Sequence, residues 1–175
     1  MAQRLSHLFW FLQQKPLSTF DERLKKTPKD NPLRGYWTGK RGLSTYIPTS
    51  SQTEILEILH HYNLKGIRYT EAMPIFEKCS ECTIQSNNMS ILRWKNQNKC
   101  DNLCAILWNA INYQNKSNWT KKDVKAFRKL HSLSWHERND RITYDLIPTK
   151  INGFFLHLGG IAECKRAKKL QLTTF

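Results

Sequence analysis

At 175 residues the chain is long enough for one domain with a real core, since about 150 residues bury roughly two thirds of the surface they expose when unfolded. With 39% hydrophobic residues, including six tryptophans and eight phenylalanines, it is too rich in large apolar side chains for a disordered chain. Twenty-eight Lys and Arg against fourteen Asp and Glu leave a formal charge of +14, which favours a polyanionic partner: nucleic acid, an anionic membrane surface or an acidic protein. The longest apolar run, "LFWFL" at Leu8 to Leu12, is far short of the roughly 20 residues that span a bilayer, and no small-residue cleavage site follows it. No membrane-spanning segment and no signal peptide are therefore expected. Delivery by another protein, or as the end of a longer one, fits that pattern.

Residues 1 to 34 read as an extension: a short aromatic segment, then "DERLKKTPKDNP", a polar linker by its lysines and two prolines. The domain is expected over 35 to 175. It opens with "GYWTGKRGLSTYIPTS", where Gly35, Gly39 and Gly42 mark turns or close backbone approach. Arg41 sits among them, either facing a phosphate or as a solvated turn residue. Ser51 and Glu54 form a capping-box pattern, and Ile55, Ile58, Leu59 and Tyr62 recur at helical spacing, predicting a helix over 52 to 62. Short strand pieces follow, with "MSILRW" a further strand candidate. Asp101 is read as the cap of a second helix whose inward stripe is Leu103, Ile106, Leu107, Ala110 and Ile111. A third helix starts at Thr120, turns Val124, Phe127 and Leu130 inward, and presents Lys121, Lys122, Lys125, Arg128 and Lys129 outward, a row suited to backbone phosphates or simply to solvent.

The cysteines number five, an odd count that argues against a full disulfide framework. "CSEC" and "CDNLC" raise a four-thiolate zinc question, set against free or buried thiols.

After His131 the pattern changes. "LSWHER" and "ITYDLIP" are two short strands joined by a turn, and "TKINGFFLH" reads as a short helix or turn ended by Gly159 and Gly160. That order brings His136, Asp145, Asn152 and His157 within reach of one point. The combination suits phosphodiester hydrolysis with one divalent ion: a neutral imidazole takes a proton from water near neutral pH, while the ion polarises the phosphate. His136 is assigned as general base and Asn152 with His157 as ion ligands. Asp145 orients the base or its loop, and Glu137 is a further ligand or a surface residue. Lys150, in the same segment, joins the candidate nucleic-acid contacts.

"LSWHE", "DLIP", "KING" and "HLGG", in that order, resemble the HNH nuclease domains of bacterial polymorphic toxins, of the His-Me finger superfamily. The upstream "GYWTGKRGLSTYIP" and "GIRYTEAMPIF" are similar to the leading motifs of such domains, so the resemblance spans roughly residues 35 to 165. It implies an α+β fold with a ββα-metal core over about 132 to 160 and additional helices packed N-terminal to it. It also implies endonuclease activity on DNA, one divalent ion (Mg, Zn or Ni), delivery into a target bacterial cytoplasm and an immunity protein expected to be acidic. Carried over, the strand histidine is His136, the helix ligand Asn152 and the later ligand His157. Relatives often place histidine where this chain has Asn152 and Glu137, which leaves open which of His136 and Glu137 faces the ion. A ribonuclease toxin on the same fold, and a non-catalytic, zinc-stabilised nucleic-acid-binding module, are the alternatives.

Overall fold

The computed structural model describes residues 14 to 172. In chain order the elements are α1 (Phe20–Leu24), β1 (Gly35–Trp37), β2 (Thr45–Pro48), α2 (Thr53–His61), β3 (Ile67–Thr70), β4 (Met73–Pro74), β5 (Cys82–Gln85), α3 (Arg93–Ala110), α4 (Lys121–Leu130), β6 (Leu133–Glu137), β7 (Thr143–Pro148), α5 (Thr149–Phe154) and α6 (Gly160–Leu172), with 3-10 turns at Glu77–Cys79 and Tyr113–Asn115. The fold is mixed α+β, with two small antiparallel sheets, β1-β2-β3-β4 and β5-β7-β6.

The second sheet positions the site. Its central strand β7 is buried along its whole length, with β5 on one side and β6 on the other. Alternation along the strands sends Leu133, Trp135, Tyr144 and Leu146 to a core shared with α3 and α4, among them Cys100, Cys104, Trp108 and Val124. Ile147 faces the other way, into a core with Trp37, Tyr46, Tyr69 and Phe76 from the first sheet and its loop, and Ile151 and Phe155 of α5. Strands β6 and β7 pair in the register His136↔Asp145, and α5 follows β7 without a gap.

Local chemistry explains several boundaries. The Thr120 side chain accepts from the Asp123 amide and the Asp123 carboxylate accepts from the Thr120 amide, so α4 begins where its capping box predicts. The expected box at Ser51 does not form: Ser51 donates to the Leu33 carbonyl, Glu54 pairs with Lys150, and α2 starts at Thr53. Nor is "MSILRW" a strand. Arg93 opens α3, eight residues ahead of the cap expected at Asp101. Asp101 is mid-helix and fully buried because its carboxylate accepts from Arg128 at 2.6 and 2.8 Å and from the Trp135 indole at 2.9 Å. The buried face of α3 is accordingly Asn96, Cys100, Asp101, Cys104, Ala105 and Trp108, while Ile106, Leu107 and Ile111, expected inward, are exposed.

Residues 14 to 34 are not a free linker, although the part of the expected extension before Gln14 lies outside the described residues. Glu163 of α6, wholly buried, accepts from the amides of Leu17 and Ser18 at 2.8 and 3.1 Å and from the Ser18 hydroxyl. Arg23 is buried and donates to the carbonyls of Glu71 and Ser18. Among the described residues no helix is long and apolar enough to cross a membrane.

Candidate active site

Because neighbouring residues of a strand face opposite sides, His136 and Glu137 part company. The His136 ring turns to the α5 side, where it meets Phe76 edge-on at 4.9 Å between centroids and His157 at 4.8 Å. Phe76 also contacts His157, so one phenyl ring supports both imidazoles. The Asn152 side chain lies beside the His136 ring, where it favours the protonated form, and reaches Ser134 Oγ at 3.4 Å with its amide nitrogen. His136, Asn152 and His157, separated by up to 21 positions, are thus one cluster.

Electrostatics keep both rings neutral. Burial holds His136 well below the ordinary imidazole value, with the neighbouring His157 and Arg138 adding to the effect and Asn152 opposing it. Burial also lowers His157, against a hydrogen bond between its Nδ1 and the Phe155 carbonyl at 2.7 Å. A carbonyl only accepts, so Nδ1 carries the proton and Nε2 keeps its lone pair. An imidazole fixed in this way by a backbone carbonyl is the usual arrangement for a metal-ligating histidine. With the Asn152 oxygen it makes two donors at most beside His136; among the described residues no group of three or more His, Cys, Asp or Glu side chains is placed to hold an ion. Phosphate and water oxygens would have to complete any coordination shell.

Glu137 points the other way. Its buried carboxylate takes the Asn96 amide at 3.4 Å and lies 3.6 Å from the Arg93 guanidinium. Burial raises its pKa, and Arg93 and Asn96 oppose that shift. Arg93 also depresses both histidines, so its charge is felt throughout the cluster. Asp145 does not touch the His136 ring: it accepts from Arg138 at 2.6 and 2.7 Å and from Thr83 at 2.8 Å, bracing β5, β6 and β7. Asn139, in the β6–β7 turn, donates to the Leu158 carbonyl at 2.7 Å and to Glu163 at 3.3 Å. Gly160 sits so close that a Cβ there would meet the Arg138 carbonyl oxygen at 2.3 Å, so only glycine allows the segment bearing His157 to close onto β6. A pocket of about 180 Å³ opens beside His136, lined by Thr70, Met73, Pro74, Ile75, Arg138 and the N-terminal Gln14 and Pro16.

The candidate phosphate contacts divide. Lys121, Lys122 and Lys125 are exposed along α4. Arg128 is instead committed to Asp101 and only 11% exposed, and Arg41 donates to Thr27 Oγ1 and to the carbonyls of Leu24 and Thr27. Lys150 pairs with Glu54 on the surface. The cysteine pairs do not converge: Cys79 packs beside Phe76, whereas Cys82, Cys100 and Cys104 lie in the α3 core, and all five are buried free thiols. Cys79 is pushed up to about 12 by burial, which suits a packing role.

Arg93 and Asn139 have no role in the sequence motifs, and Phe76 enters only as the last residue of "GIRYTEAMPIF", with no role attached to it. Arg93 carried no signal, because the stretch around it reads as a strand.

Residues 66–159, just over half of the chain, match the family model described as the DNase/tRNase domain of colicin-like bacteriocin. The chain belongs to that family. No curated protein and no solved structure matches it. The matched region holds the whole His136, Asn152 and His157 cluster, together with Phe76, Arg93 and the exposed lysines of α4. Membership in this colicin-like family makes the chain a nuclease toxin domain with nucleic acid as its substrate.

Proposed function

We propose that this domain is a metal-dependent endonuclease of the HNH type, with β6, β7 and α5 as its ββα-metal core within a domain spanning 35 to 175, and that it cuts DNA in a target bacterial cytoplasm until an acidic immunity protein covers it. The observation that carries this reading is the buried His136 ring, 4.8 Å from His157 and packed with it against Phe76. Packing against Phe76 and His157 fixes the orientation of His136, so the ring presents its basic nitrogen to a water molecule without having to search for the geometry. His157, its Nδ1–H spent on Phe155, would hold the ion through Nε2, and the Asn152 oxygen is the second donor on this chain. A divalent ion bound there supplies charge stabilisation at the phosphate and the leaving oxygen. Glu137 keeps Arg93 at the edge of the cluster, where a guanidinium suits a phosphate oxygen. The separation of Glu137 onto the other face of the strand favours His136 as the residue on the ion side.

Base and ligand make different predictions. His136→Ala is expected to abolish cutting while leaving divalent-ion binding by calorimetry nearly intact, and His157→Ala to lose both. Loss of ion binding in His136→Ala would reverse the assignment and make His136 a ligand.

A further inference from the structure

Trp37, Trp108, Trp119 and Trp135 are buried at 9% exposure or less, but Trp94 is 59% exposed. Its neighbour Leu92 is 43% exposed, and Lys95 places its ammonium 5.6 Å from the centre of the Trp94 ring. An exposed indole with a cation at its ring offers a π face and a positive charge together to a ligand. Its position is informative. Arg93, the residue between Leu92 and Trp94, is itself 63% exposed and lies 3.6 Å from the carboxylate of Glu137, the residue that follows His136. The first turn of α3 therefore sets Trp94 next to an arginine that pairs with β6, the strand bearing His136, and whose charge lowers both histidines.

We propose that Trp94, with Lys95, is a base-stacking platform for an unpaired nucleotide next to the scissile phosphate, so that this domain engages single-stranded stretches in preference to intact duplex. The proposal rests on the nuclease reading for the identity of the neighbouring site. In a duplex both faces of each base are already stacked, and an exposed indole gains nothing unless the duplex first pays to unstack. An unpaired base offers a free π face to the ring whatever its identity, while its flanking phosphates meet Lys95 and Arg93. A cationic rim favours this occupant over a basic or neutral protein partner.

The test compares binding of a labelled oligothymidylate of about 12 nucleotides with that of a duplex of the same length, by fluorescence anisotropy in EDTA. Trp94→Ala is expected to weaken the single strand by about fivefold to a hundredfold and to leave the duplex within about twofold, and Trp94→Phe to keep most of the affinity. Equal losses on both ligands, or no loss on the single strand, would overturn the platform. Because Trp94 lies outside both cores, the variant should retain the wild-type circular dichroism spectrum. The enzyme reading is tested separately by strand scission, so a protein that shows the selective loss yet cuts nothing would sink that reading and leave the platform standing.

Discussion

His136 is buried to 4% exposure and has no acidic partner among the described residues, which is an unusual setting for an ionisable group unless the neutral form is the useful one. Its folded-state pKa lies below the unfolded value of about 6.5, so the unfolded chain binds the extra proton and stability is lost as pH falls through that value. His157 acts in the same direction. The metal-free protein is thus expected to melt at a lower temperature at about pH 5.5 than at about pH 7.5, with a weaker dependence in His136→Gln; a wild-type melting temperature that does not change across this window would contradict the buried neutral ring. Much of this cluster is legible in the sequence, because His136, Asn152 and His157 lie on consecutive elements whose order alone folds them together. Phe76 and Arg93 are not. They arrive from 60 and 43 positions upstream of His136, through packing that no local pattern encodes.

Helix α3 shows how an element can mislead. Its apolar residues at Leu103, Ile106, Leu107 and Ile111 suggest an inward stripe, yet the helix buries polar and thiol side chains, because Asn96 and Asp101 have partners waiting on the strand and on α4. Polar residues count as outward in a hydrophobic pattern and are inward when their hydrogen bonds are met. Asp101 is the clearest case: it links α3 to Arg128 of α4 and to Trp135, the residue preceding His136. Asp101→Ala should leave a nearly buried guanidinium and an indole N–H without their acceptor, costing about 3 to 5 kcal/mol in urea denaturation. A loss under about 1 kcal/mol would show that the helix is held to the sheet by its apolar contacts alone. By contrast, the capping box of α4 and the hairpin of β6 and β7 were readable, since each is specified by residues three to fifteen positions apart.

At the scale of the whole molecule the formal charge of +14 sets how the domain meets its substrate. Arg41 and Arg128 are spent on internal bonds, so the exposed lysines of α4 are the candidates left on that helix for phosphate contact. Duplex affinity should fall steeply between about 50 and 200 mM salt, and replacing Lys121, Lys122 and Lys125 together by alanine should reduce the logarithmic salt slope by about 2 to 3. An unchanged slope would move the phosphate-contacting face away from α4. The charge was legible from composition, but its distribution was not, because an arginine on a lysine-rich helix face looks solvated until its buried partner is known. The most direct measurement is conversion of supercoiled plasmid to nicked and linear forms by the purified chain with magnesium, nickel or zinc. Wild type should cut and His136→Ala should cut at least about a hundredfold more slowly, the ordinary contribution of a positioned general base. Equal rates for the two proteins, or cutting undiminished by EDTA, would contradict the account.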